Sequence, residues 1–134
     1  MTTTTTANST RTSYLFRDGV VALVTASVAT VSVAAAGHAA GVSLDVDGGP
    51  IPVLGFGTLT ALFSFVGLVL AAVLGRTVRH ARRAFVRTTV VLTALSLVPD
   101  LLVAASPATR ALLMLTHLVA AAIVIPAVAR RLPA

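Results

Sequence analysis

Lysine, glutamate and cysteine are all absent from this chain of 134 residues. Without cysteine there are no disulfides, no thiol catalysis and no cysteine-ligated metal, and the redox compartment stays undetermined. Charge of either sign is scarce: ten arginines and four aspartates amount to 10% of the residues, where an ordinary soluble domain carries about 25%. With 57% hydrophobic residues beside so little charge, the composition speaks against a water-soluble fold. The motifs of soluble enzymes are missing too, with no nucleophile elbow, Walker loop, Rossmann fingerprint or zinc motif. The Gly55-Phe56-Gly57 segment lacks the strand, helix and further glycine of a nucleotide site.

What the chain has is long apolar runs, at about 19–41, 51–75, 85–105 and 109–129. Each reaches the ~20 residues that a helix needs to cross a ~30 Å hydrocarbon core. The expected fold is an all-α membrane protein, a four-transmembrane-helix bundle of one domain over residues 18–134. Residues 1–17 open with a threonine-rich, low-complexity stretch that has too little apolar surface to offset the entropy of ordering, and they are expected to form a disordered tail. A competing reading makes the first run a signal peptide, with Arg11 and Arg17 as its basic region and alanines near Ala34 to Ala40 as the cleavage site.

The net charge of +6 takes its meaning from where the arginines lie. They flank the apolar runs and form no aromatic-interleaved groove, so nucleic acid is not an expected partner. Placing the loop that holds Arg76, Arg79, Arg82 and Arg83 in the cytoplasm leaves only Arg110 of the ten arginines outside, which is the positive-inside distribution. Both termini are then cytoplasmic. The same four arginines are candidate contacts for anionic lipid, at roughly 1 kcal/mol each near the surface. Arginine without lysine, among abundant alanine and valine, suggests a bacterium with a GC-rich genome, and a multi-pass protein of its plasma membrane.

Small residues recur at four-residue spacing: Ala22, Ala26 and Thr30, then Ser32, Ala36 and Ala40 in the first run, and Gly67, Ala71 and Gly75 in the second. Such stripes let helix backbones approach closely where lipid supplies no hydrophobic drive, and packing within the bundle is their expected use. Leu68 is expected on the lipid face. Pro50 and Pro52 mark the mouth of the second span, while Pro99 and Pro126 lie within spans three and four and should bend them.

Asp100 is the one acidic side chain inside a run long enough to span, and an unpaired carboxylate in hydrocarbon costs on the order of 3 kcal/mol or more. It needs a partner. Thr89, Thr93, Ser96 and Asp100 follow one another at spacings that align them on one helical face, which should look into the bundle. The hydroxyls can bond back to their own helix carbonyls, so their need for a partner is weaker. The short third loop makes spans three and four an antiparallel hairpin, which brings His117 to the depth of Asp100, while Arg110 can reach inward to the same carboxylate. Both pairings are open. His38, near the outer end of the first span, sits at a similar level, and Thr58 and Thr60 enter the second span from that side.

His38, Thr93, Ser96, Asp100, Arg110 and His117 are therefore the candidate ligand- or ion-binding residues, with Asp100 and His117 the candidate acid and base. Histidine titrates near neutral pH, as a proton relay or general acid/base pair requires. No metal and no cofactor is expected, because the residues come from three helices without a local ligand spacing such as HExxH.

The segments IPVLGFGTLT, FVRTTVVLTALSLVPD and THLVAAAIVIPAVARRL resemble a family of small actinobacterial four-helix membrane proteins defined only as a domain of unknown function. The resemblance covers spans two to four, implies a four-helix fold with Asp100 and His117 at motif positions, and implies no activity. Three functions compete. One is an accessory protein that binds a small ligand or a partner's helix through an outward-facing polar layer. Another is a membrane-embedded acid/base enzyme of isomerase or cyclase type on a lipid-like substrate. The third is a proton-coupled or ion-conducting oligomer, and the oligomeric state is open.

Overall fold

The structure is a computed structural model and describes residues 3–134, with side chains from Ser13 onward. Its helices are α1 Thr3–Ala39, α2 Val53–Thr77, α3 Ala81–Leu102 and α4 Pro107–Ala129. All four are long and apolar enough to cross a membrane, the qualifying part of α1 being Ser13–Ala39. The chain is thus an all-α protein with four membrane-spanning helices. Of residues 1–17, expected to form a disordered tail, Thr3 to Arg17 lie in α1. Leu15 docks there on the core, and no glycine or proline interrupts the backbone before Gly19. The part of the tail at residues 1–12 lies outside the residues whose side chains are described, and Met1 and Thr2 lie outside altogether.

Helix α1 packs against α2 and α4, and α3 packs against α4 and α2, which closes a four-membered bundle. One end carries the α2–α3 turn and the C-terminal residues, the arginine end. There Leu15, Leu68, Ala71, Ala81, Phe85 and Val128 form the larger apolar cluster. Phe85 and Ala81 are fully buried, and Arg82 N donates to Pro133 O at 2.9 Å, so α3 starts four residues earlier than its apolar run.

The opposite end is closed by a β-hairpin that hydropathy alone does not announce. Strands β1 (Asp45–Val46) and β2 (Gly49–Pro50) pair antiparallel across Asp47 and Gly48, with φ of 52° and 81°. Two successive positive φ angles make the two-residue turn whose twist suits a hairpin, and Asp-Gly is its preferred sequence. Asp47 then ties this hairpin to the α3–α4 loop: its N–H donates to Ala104 O at 3.0 Å, and its Oδ1 accepts from Ala104 N at 3.2 Å. Thr109 Oγ1 donates to Ser43 O beside it. Under the hairpin, Ala34, Leu44, Phe56 and Leu112 form a second apolar cluster.

The first small-residue stripe is an interface, because Ala26 and Thr30 are fully buried and Ala22 nearly so. Ser32, Ala36 and Ala40 are exposed and take no part in packing. In α2 the expected stripe is displaced. Ala71 is buried, but a Cβ on Gly67 would meet nothing within 4 Å, and Leu68, expected toward lipid, is 1% exposed. Gly19 lets α1 rest directly on Leu68, where an added Cβ would come within 2.4 Å of its side chain. The faces turned away from the bundle carry Val24, Val28, Leu62, Phe63, Val91 and Leu95, the surface that a lipid environment accommodates.

Candidate functional site

The α3–α4 hairpin is fixed at its loop before it positions any chemistry. Ser106 caps α4 by accepting from Thr109 N at 3.1 Å, and Pro107 follows at the first helical position, where its missing N–H costs nothing. Arg110 Nε donates to Val103 O at 3.0 Å and clamps the loop against the first turn of α4. Arg110 is therefore spent on the loop and does not meet Asp100.

With the hairpin so closed, Asp100 in the last turn of α3 faces His117 in the third turn of α4, and Oδ2 lies 2.7 Å from Nδ1. Nδ1 also lies 3.1 Å from Leu113 O. Both neighbours are acceptors, so Nδ1 carries the hydrogen and donates to them, and the tautomer is set by the site. Asp100 is buried, its side chain 11% exposed, whereas the His117 side chain is 38% exposed. Nε2, the other ring nitrogen, has no hydrogen-bond partner among the described residues. His117 lies ten residues into α4, about 15 Å along its axis, while Asp100 stands two residues from the end of α3.

The remaining candidates do not converge on this pair. Thr93 Oγ1 donates to Thr89 O at 2.8 Å and Ser96 Oγ to Thr93 O at 2.7 Å, each satisfied on its own helix. Thr89 does the same toward Phe85 O at 2.8 Å. Their face does turn inward, since Thr89, Thr93 and Ser96 are half-buried and Asp100 buried. His38 is exposed in the last turn of α1, with no side-chain partner among the described residues, so it does not join the layer. Thr58 bonds back to Leu54 O, and Thr60 instead meets Thr30 Oγ1 at 3.0 Å, a hydroxyl link between α1 and α2. Among the described residues, no three histidine or aspartate side chains gather where a metal ion would sit.

A second polar group stands at the arginine end. Arg131 Nε donates to Asp18 Oδ2 at 2.7 Å, and Arg17 Nε reaches Asp18 Oδ1 at 3.3 Å. Sequence reading passes over this link because Asp18 and Arg131 are 113 residues apart. The signal for it is an aspartate at the start of one span and an arginine pair at the end of another. Arg76 in the last turn of α2, Arg79 on the turn that follows, and Arg82 and Arg83 in the first turn of α3 are all exposed.

A family model of unknown function, DUF6069, matches residues 10–134. The chain belongs to that family. The match takes in the first span as well as the three that carry the resemblance, so the DUF6069 unit is the whole bundle with its hairpin cap. No curated protein and no solved structure matches the DUF6069 chain.

Proposed function

We propose that this protein is a plasma-membrane accessory protein whose Asp100–His117 pair receives a hydrogen-bonding group, from a partner's transmembrane helix or a small ligand. One observation carries the reading: a part-exposed imidazole in a membrane-spanning helix is oriented through Nδ1 by a buried carboxylate, and its Nε2 has no partner among the described residues. A polar group left without a partner in hydrocarbon costs roughly 2–7 kcal/mol, so an occupant at Nε2 stabilises the site. Leu101, Leu102, Leu115 and Leu118, each within two residues of Asp100 or His117 in the sequence, are exposed, and apolar surface of this kind suits a contact between helices in lipid. The arginine distribution supports both termini in the cytoplasm and the pair in the outer half of the bilayer. The exposed arginines at 76, 79, 82 and 83 are suited to anionic lipid head groups. Composition supports an actinobacterial or similar GC-rich source.

A photo-crosslinking side chain at Leu118 tests the reading in the native membrane. The expected result is one discrete adduct that disappears with His117→Phe, while the same probe at Leu62, on another face, gives none. Adducts to bulk lipid alone, unchanged by His117→Phe, would refute it. The same geometry favours a second reading, since a carboxylate-oriented imidazole with a free Nε2 is the arrangement of a general base. That reading expects a lipid species that accumulates in cells carrying His117→Gln.

A further inference from the structure

We infer that the cleft between α1 and α4 at the arginine end binds one anionic glycerophospholipid, its phosphate among Arg17, Arg130 and Arg131 and its upper acyl chain along the helices. The cleft is open, encloses about 710 Å³ and is lined by Arg17, Asp18, Val21, Ala22, Ile123 and Ala127, with Thr25, Arg130 and Arg131 completing it. That volume falls within the ~300–1,000 Å³ of ordinary ligand sites. Its two halves differ in chemistry, and the difference identifies the occupant.

Three guanidinium groups and a single carboxylate border the mouth. Asp18 is engaged by both Arg131 and Arg17, which holds those side chains in place and leaves two positive charges uncompensated. Arg130 is exposed and has no side-chain partner among the described residues. A phosphodiester offsets one of these charges, and guanidinium groups recognise phosphate with several oriented N–H donors. The Arg17 guanidinium also lies 5.3 Å from the Tyr14 ring centre. An exposed tyrosine beside an arginine marks the head-group level of a bilayer, where amphipathic rings collect.

Away from the mouth the lining turns apolar. Val21, Ala22, Ile123 and Ala127 form the floor, and the Thr25 hydroxyl donates back to Val21 O at 2.8 Å, so it offers the cleft no free donor. From Arg17 to Thr25 is eight residues of helix, about 12 Å, directed from the boundary into the hydrocarbon. A free phosphate matches the mouth and leaves this floor bare. A zwitterionic lipid matches the floor and brings a cation to the arginines.

The test uses the full chain in nanodiscs of phosphatidylglycerol and phosphatidylcholine, released into mild detergent, with retained lipid counted by native mass spectrometry. Phosphatidylglycerol should be retained as a single tightly held molecule in preference to phosphatidylcholine. Arg130→Gln, which breaks no side-chain contact, should weaken that retention about fivefold, whereas Arg79→Gln, an equal loss of charge on the α2–α3 turn, should change it less than about twofold. Ala127→Phe, which fills the floor with every charge kept, should displace the lipid. Inorganic phosphate should not compete at matched concentration. Equal losses from the two arginine variants would overturn the inference in favour of diffuse surface charge. Indifference to Ala127→Phe, or displacement by phosphate, would overturn it in favour of a head-group contact alone.

Discussion

Asp100 and His117 show how a residue in a membrane helix sets its own requirement for a partner. The carboxylate is buried, the imidazole hydrogen is held between Asp100 Oδ2 and Leu113 O, and the hydrogen bond joins α3 to α4 at 2.7 Å. A bond of this charge-assisted kind contributes up to ~3 kcal/mol when shielded, and the partial exposure of His117 brings the expected value nearer ~1 kcal/mol. A double-mutant cycle of Asp100→Asn with His117→Gln, read as thermal stability in detergent, should therefore give a coupling of about 1 kcal/mol. The same cycle with Arg110→Gln should give less than about 0.5 kcal/mol, since Arg110 bonds to Val103 O instead. Comparable coupling to Arg110 would mean that the loop clamp and the buried pair are one network. The sequence makes legible that Asp100 must be paired and that two residues can reach it. It does not decide between them, because the choice depends on Arg110 finding a loop carbonyl at 3.0 Å, and a backbone acceptor leaves no mark in residue identity.

At the scale of a helix, the difficulty is that core and lipid-facing positions are both apolar, so hydropathy loses the contrast that marks a buried face in soluble proteins. Leu68 and Leu62 in α2 are the same residue type, yet one is buried and the other exposed. What separates them is the partner surface: Gly19 of α1 lies on Leu68, and Val31 of α1 lies on Gly57. Close approach at Gly57 leaves 2.6 Å between an added Cβ and Val31 Cγ2, and a β-branched side chain has little freedom to yield. Gly57→Ala should lower stability by about 1–3 kcal/mol, and Leu68→Phe by a similar amount through overpacking. Gly67→Ala, ten residues further along α2 and facing open space, should be neutral or stabilise by up to ~1 kcal/mol, because alanine is the better helix former. Thermal aggregation midpoints of the three variants in one detergent would compare them. A loss at Gly67→Ala equal to that at Gly57→Ala would place Gly67 in an interface, either with another part of this chain or with a second copy. The short hairpin was legible in principle from Asp47-Gly48, but its strands are two residues each and carry no alternation for hydropathy to reveal.

For the whole molecule, the two ends of the bundle differ in the sign of charge they present, and that difference sets the expected direction of insertion. Arg17, Arg130 and Arg131 meet at one end, the end at which Arg76, Arg79, Arg82 and Arg83 lie on and around the α2–α3 turn, while the hairpin end carries Asp45 and Asp47 with Arg110 turned onto a loop carbonyl. Arginine resists translocation and aspartate contributes little, so the arginine end should remain in the cytoplasm. With four spans, visible in the apolar runs and matched by the helices, both termini are expected on that same side, because an even number of crossings returns the chain to where it began. Reporters fused near Asp45 and Pro107 should read external, and reporters near His80 and at both termini cytoplasmic. Replacing Arg76, Arg79, Arg82 and Arg83 together with glutamine while changing Asp45 and Asp47 to arginine should shift a fraction of molecules to the opposite orientation, if charge rather than helix packing directs insertion. An external signal at His80 in the unaltered protein would reverse the orientation, moving the Asp100–His117 pair to the cytoplasmic half and the α1–α4 cleft to the outer leaflet.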